Sequence, residues 1–178
     1  MRLRNALPVA HADVLLRPLA ERDAVAYAEG TTDDAVRRFA HLPLPEYTAE
    51  TVRTLVRTDV RAGLENGTLA VLTIADAVDD IFLGSLVLFD ITAHTAEVGF
   101  WLSPNARGLG VATKALTAAV VLGDRLGLHT LTARTDPANT ASRRTLVAAG
   151  FETVGAPHES TAPSGAHVRT QHYRLRLN

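Results

Sequence analysis

The sequence predicts an α/β domain built on a mixed, mostly antiparallel sheet. Two observations carry this reading. Segments 68–75, 81–89 and 95–102 are apolar over strand length and are parted by short polar turns at 76–80 and 90–94, which predicts three consecutive antiparallel strands. After Gly108-Leu109-Gly110 the apolar period becomes helical, with Val111, Ala112, Ala115, Leu116, Ala119, Val120 and Leu126 in step, and a strand over 130–135 follows. A strand–helix–strand unit of this length makes a parallel pair.

The remaining elements follow in order. Val14-Leu15-Leu16-Arg17 reads as a first strand ended by Pro18. Residues 21–29 read as a short helix stopped by Gly30, and Thr32-Asp33-Asp34 offers caps for a second helix over 35–40. Pro43 and Pro45 break the chain. A longer helix over 48–65 carries Val52, Leu55, Val56 and Val60 on one face and stops at Asn66-Gly67. Gly127 ends the helix that begins at Val111. Asp136-Pro137 starts another helix, which Gly150 stops. A short strand over 151–154, a polar loop over 157–165 and a last strand over 168–177 complete the chain. Tyr173, Leu175 and Leu177 share a face of that strand.

Composition narrows the function. A chain of 178 residues is expected to form one domain, spanning 1–178. It is 47% hydrophobic and 21% charged, which suffices for a core. A formal net charge of -1 gives no electrostatic case for nucleic acid or an anionic membrane as partner. With no cysteine there is no disulfide, thiolate metal site or thiol nucleophile. The first residues lack the apolar run of a signal peptide, and no apolar stretch is long enough to span a membrane, so a cytoplasmic protein is expected. The seven histidines form no ligand pattern with carboxylates, and no metal is expected. No G-x-S-x-G anchors a hydrolase triad.

The chemistry centres on Pro104-Asn105-Ala106-Arg107-Gly108-Leu109-Gly110-Val111-Ala112, at the start of a helix. Glycines leave backbone N–H groups uncovered there, and the helix dipole adds positive potential, so the turn suits a phosphate. A dinucleotide fingerprint would need glycine at position 113, which is Thr113. A phosphate loop of the Walker kind would end in Lys-Ser or Lys-Thr, and Lys114 stands alone.

Arg107-Gly108-Leu109-Gly110-Val111-Ala112 resembles the Q/R-x-x-G-x-G/A pyrophosphate loop of the GNAT superfamily of N-acetyltransferases. Glu97-Val98-Gly99-Phe100-Trp101-Leu102 is similar to that family's central strand. Asn139-Thr140-Ala141-Ser142 with Gly150-Phe151 is similar to its next helix and strand. Leu15-Leu16-Arg17-Pro18-Leu19 and Tyr173-Arg174-Leu175 resemble the Rim-type branch, which acetylates N-terminal amines of ribosomal proteins. The resemblance runs from about Asp13 onward and is thinnest over 22–66.

The resemblance implies a six- to seven-stranded sheet, about four helices and a central splayed parallel pair. It implies acetyl-CoA as cosubstrate and an amine as acceptor, a protein N-terminus or a small molecule, in a monomer or homodimer. Backbone groups from Arg107 through Gly108, Leu109, Gly110 and Val111 to Ala112 would hold the pyrophosphate. Phe100, Trp101 and Leu102 would present the strand edge to pantetheine, and an N–H there would polarise the thioester carbonyl. Asn139 would bond the pantetheine arm; read as an isolated residue, it is also a helix cap. Trp101 read alone is sheet packing, and Arg107 a solvated loop arginine.

Glu97 is the candidate base and Ser142 the candidate acid. Read alone, Glu97 is an ion-paired glutamate and Ser142 an ordinary helix serine. Many members of the superfamily carry a tyrosine acid four residues after the position of Ser142; here that residue is Leu146, which cannot donate a proton. The Rim-type branch commonly lacks the tyrosine and has serine at the position of Ser142. An α-amine of pKa ~7.7–8.0 is deprotonated at neutral pH at less cost than a lysine of ~10.4, which favours an N-terminus as acceptor. A rival reading is a silent acyl-CoA-binding module.

Overall fold

The computed structural model describes residues 3–162 and 164–177. Eight strands form one sheet: β1 (Val9–His11), β2 (Val14–Pro18), β3 (Ala70–Asp76), β4 (Phe82–Phe89), β5 (Thr95–Leu102), β6 (Thr130–Thr135), β7 (Glu152–Thr161) and β8 (His167–Arg176). Their spatial order is β1-β2-β3-β4-β5-β6-β8-β7. The predicted antiparallel run β3-β4-β5 is present, and β5 with β6 is the parallel pair. The helices are α1 (Leu3–Ala6), α2 (Ala24–Thr31), α3 (Asp34–Phe39), α4 (Ala49–Leu55), α5 (Arg61–Asn66), α6 (Val111–Leu126) and α7 (Thr140–Ala148). A π-helical turn, Val56–Val60, joins α4 to α5.

Alternation along the strands divides the side chains between two apolar layers. Val14, Leu16, Leu72, Leu86, Val98 and Leu131 pack on one face against Ala115, Leu116, Ala119 and Leu122 of α6. Trp101 belongs to the layer on the other face, with Tyr27 and Ala28 of α2, Val36 of α3, Val52 of α4 and Val60. Beside this second layer the buried Arg17 guanidinium bonds both Asp23 oxygens at 2.7 and 2.8 Å, and Thr73 Oγ1 donates to the same carboxylate at 2.9 Å.

Several sequence expectations are corrected. The sheet has eight strands because β1, only three residues long, pairs with β2. The segment read as a polar loop over 157–165 is largely strand: β7 continues to Thr161. Its side chains are nearly all exposed, so no buried period marks it, and a register shift between Val154 and His158 accommodates Pro157. The segment 21–29 begins as a 3-10 turn, Glu21–Asp23, and Gly30 does not stop the helix. A β-carbon at Gly30 would lie 2.5 Å from the Trp101 ring, so that glycine serves packing. Asp136-Pro137 does not open α7: the Asp136 carboxylate accepts the Ala138 N–H at 2.7 Å, and α7 starts three residues later under Asn139. Asp33 and Thr48 cap α3 and α4 with their side chains.

Candidate active site

β5 and β6 pair only through Thr95–Thr130, Ala96–Leu131 and Glu97–Thr132. Beyond Glu97, β5 stays paired to β4 while β6 stays paired to β8, so the two strands part. Ser103 N–H donates across to the Leu83 carbonyl on the β4 side. Strand alternation then turns the backbone groups of Phe100 and Leu102 toward the open edge. The Leu102 carbonyl on that edge accepts from Arg107, Nη2 at 3.0 Å and Nε at 3.2 Å.

The gap is occupied on its α6 side by a cleft of about 570 Å³. Gly108, Gly110, Val111, Ala112 and Thr113 line one end of it, and Asn139, Ser142 and Leu146 of the α7 region line its wall. Gly108 and Gly110 hold φ of 75° and 74°, a left-handed backbone that side-chain-bearing residues adopt only with strain. Among the described residues no side chain caps the N-terminus of the sixteen-residue α6. Its first N–H groups and dipole therefore face the cleft without a protein anion, which fits the diphosphate of a nucleotide-like cosubstrate. Leu109 is 66% exposed and does not line the cleft, so only its backbone can take part.

Arg107 is not free. Its Nη2 also donates to Asp33 Oδ1 at 2.6 Å, tying the loop to the N-terminus of α3. That guanidinium holds the Asp33 carboxyl below its ordinary value. Asn139 Oδ1 accepts the Ser142 N–H at 3.1 Å, so its side chain is the α7 cap. The Ser142 side chain lines the cleft, and its hydroxyl has no hydrogen-bond partner among the described residues. Leu146, one turn further along α7, is 1% exposed and packs into the α6 core.

A second cavity, about 450 Å³, lies against the aromatic layer of Tyr27 and Trp101 and, like the first, touches Phe39 and Ala40 at the end of α3. The two spaces share Val98 to Trp101, Arg134 and Thr135 on the strands and Phe39 and Ala40 at the end of α3, so they meet where β5 and β6 part. Glu97 lines only this second cavity and Ser142 only the first. The Trp101 ring packs edge-on to Tyr27 at 5.1 Å between centroids, which places it in the second layer.

The Glu97 carboxylate is half-buried and accepts from Arg134 Nε at 2.7 Å. Burial raises its pKa above the usual value, and the Arg134 guanidinium opposes that rise without cancelling it. Arg134 Nη1 also donates to the Thr161 carbonyl at 3.1 Å. Across β6 and β8 it faces His172, whose ring stacks on His158 at 4.3 Å. Burial, helped by the charges of His158 and Arg134, holds His172 below its ordinary value.

Sequence reading missed Arg134, Asp33 as a partner of Arg107, and the aromatic lining from Tyr27, Phe39 and Tyr47. Arg134 lies two residues past Thr132 on an alternating strand, but only the parallel register shows that it meets Glu97. Among the described residues no group of three or more His, Cys, Asp or Glu could hold a metal ion, and no helix is long and apolar enough to cross a membrane.

Solved structures share this architecture. RimJ from Mycobacterium smegmatis, in complex with CoA-disulfide, is 24% identical, with a TM-score of 0.79 over 96% of this chain and 86% of that one. A ribosomal-protein-S5-alanine acetyltransferase from Vibrio fischeri is 18% identical, with a TM-score of 0.79 over 97% of each chain. Spermidine N-acetyltransferase from Vibrio cholerae, in complex with CoA and spermine, is 16% identical, with a TM-score of 0.76 over 93% and 96%. No curated protein matches the sequence significantly. Residues 13–152 match the acetyltransferase (GNAT) domain, more than half of the chain and the whole stretch from β2 through α7. The splayed β5–β6 pair, the uncapped α6 above a glycine turn and this match agree: the chain belongs to the GNAT acetyltransferase family.

Proposed function

We propose that the protein moves an acetyl group from acetyl-CoA to the α-amine of a protein N-terminus, by direct transfer while both substrates are bound. One observation carries the reading: the two cavities meet at the strand gap with Glu97 on one side and Ser142 on the other. Direct transfer needs a base beside the amine and an acid beside the departing thiolate, on opposite sides of the reacting carbonyl. In this scheme the α6 cleft takes acetyl-CoA, with backbone N–H groups from Arg107 to Ala112 at the pyrophosphate. The open backbone edge at Phe100 and Leu102 takes the pantetheine arm, and an N–H of that edge stabilises the oxyanion. Trp101, whose backbone groups face β4, contributes its ring on the acceptor side, and Asn139 acts by holding the first turn of α7 in place.

Glu97 takes the proton of the attacking amine, directly or through water. Ser142 gives a proton to the thiolate that leaves. Burial makes the Glu97 carboxylate a stronger base, and an α-amine, ~7.7–8.0, is deprotonated near neutral pH at less cost than a lysine, ~10.4, which supports the N-terminal acceptor. The Rim-type character of the sequence and the likeness to ribosomal-protein acetyltransferases support the same choice.

The test is acetyl-CoA consumption across N-terminal peptides, lysine peptides and small amines, with calorimetry of acetyl-CoA binding. N-terminal peptides are expected to be the best class. Glu97→Gln and Ser142→Ala are each expected to lower kcat by about 10²-fold or more with acetyl-CoA affinity unchanged. Tight acetyl-CoA binding with no acceptor in the panel would establish a silent binding module instead.

A further inference from the structure

We infer that the 450 Å³ cavity selects an amine carried on an apolar group and rejects acceptors with several charges. This rests on the proposed function, whose acceptor side it describes. The argument comes from the lining. Tyr27, Phe39, Tyr47, Phe89 and Trp101 line the space. Its volume lies in the lower part of the range for ligand pockets, roughly 300–1,000 Å³, so it takes a small amine or the first residues of a chain.

Three carboxylates reach this lining, Asp59, Glu97 and Asp136. Glu97 is bonded to Arg134 at 2.7 Å, and Asp136 is bonded to the Ala138 N–H at 2.7 Å. Asp59 sits exposed on the π-helical turn. A polyamine, or a peptide with lysines after its first residue, brings two or more ammonium groups, and the carboxylates left to pair them, Asp59 and Asp136, stand at solvent-accessible positions where an ion pair is worth little. An ammonium taken out of water without a partner is disfavoured, whereas an apolar side chain gains by covering these rings. Selectivity against a second charge then follows from the weakness of those exposed pairs beside the gain over the rings, with no repulsive group required.

The experiment compares kcat/KM for three tripeptides, Ser-Ile-Phe, Ser-Lys-Lys and Ser-Asp-Glu, with 2-phenylethylamine and spermidine. The apolar acceptors are expected to exceed the lysine peptide and spermidine by about tenfold or more, the scale of one unpaired charge. Leu42→Asp places a new carboxylate in the lining and is expected to narrow that ratio at unchanged acetyl-CoA affinity. Equal or better use of spermidine or Ser-Lys-Lys would overturn the inference. Binding of 2-phenylethylamine to the protein–CoA complex, followed by calorimetry, separates this inference from the parent reading. Saturable binding that Leu42→Asp weakens supports the apolar cavity even if every acceptor goes unacetylated, an outcome that defeats only the proposed reaction. Absence of saturable binding defeats the cavity inference itself.

Discussion

Arg134 Nε meets Glu97 Oε1 at 2.7 Å immediately beyond the last backbone pair between β5 and β6, Glu97 with Thr132. The ion pair therefore stands at the point where the strands part and the two cavities join. Arg134 keeps the buried carboxylate from rising further, and that sets up a pH prediction. If Glu97 is the base, the acid limb of kcat/KM reports its pKa. Arg134→Gln removes the opposing charge and is expected to move that limb to higher pH, with Arg134→Lys in between. Stability follows the same sign. A carboxyl raised on folding contributes its full stability below the ordinary carboxylate value and loses it as pH rises through the folded value. Urea titrations on either side of that window, compared with Glu97→Gln, check it.

Arg107 is shared between Asp33 and the Leu102 carbonyl. A pyrophosphate at the α6 N-terminus would compete with Asp33 for it. Asp33→Asn keeps an oxygen to cap Ala35 and Val36 but removes the competing charge, and is expected to tighten acetyl-CoA binding a few-fold. Arg107→Ala is expected to weaken it by about 1–2 kcal/mol, the scale of one charged hydrogen bond. Isothermal calorimetry at two salt concentrations measures both, and the Arg107 effect should shrink at high salt.

Gly110 holds a φ of 74° where the chain turns into α6, and a β-carbon there would meet nothing closer than 3.9 Å. Strain, not collision, is the cost of substitution. Gly110→Ala is expected to cost about 1–2 kcal/mol of stability and to lower acetyl-CoA affinity in parallel. Denaturant melts read the first and calorimetry the second; loss of stability with unchanged affinity would place the phosphate elsewhere.

Asp23 is far from the reaction and tests the fold alone. Burial by itself would raise its carboxyl, but Arg17, the Ala20 N–H and the Thr73 hydroxyl together hold it below the ordinary value. It therefore contributes stability above the ordinary carboxylate range and loses it as pH falls through the lowered value. Asp23→Ala removes the bidentate partner of the buried Arg17 guanidinium, leaves it the Asp80 carboxylate at Nε, and is expected to cost about 3 kcal/mol, the low end for a broken buried pair. Urea unfolding at neutral pH measures the loss, and the variant should show a smaller further loss on acidification than the parent.

Local signals made much of this protein legible. Gly108 and Gly110 before a helical period, the antiparallel run over 68–102 and the strand after α6 are short-range patterns, and each is present in the fold. Strand β7 was hidden because its side chains face solvent on both sides, so pairing with β8 defines it and no apolar alternation does. Gly30 looked like a helix stop because nothing nearby in sequence announces the Trp101 ring above it.

By itself, then, the chain determined the class of fold and the glycine turn before α6, and it placed a glutamate on β5 and a serine on α7, since these depend on neighbours within a few positions. Tertiary structure decided what those residues touch. Glu97 and Arg134 stand 37 positions apart, and only the register of β5 against β6 brings them together. Arg107 and Asp33 stand 74 apart, and their contact turns an apparently solvated arginine into a tie between the glycine turn and α3. Side-chain chemistry is written locally, whereas partners, burial and the shape of a cavity arise only when distant segments pack against one another.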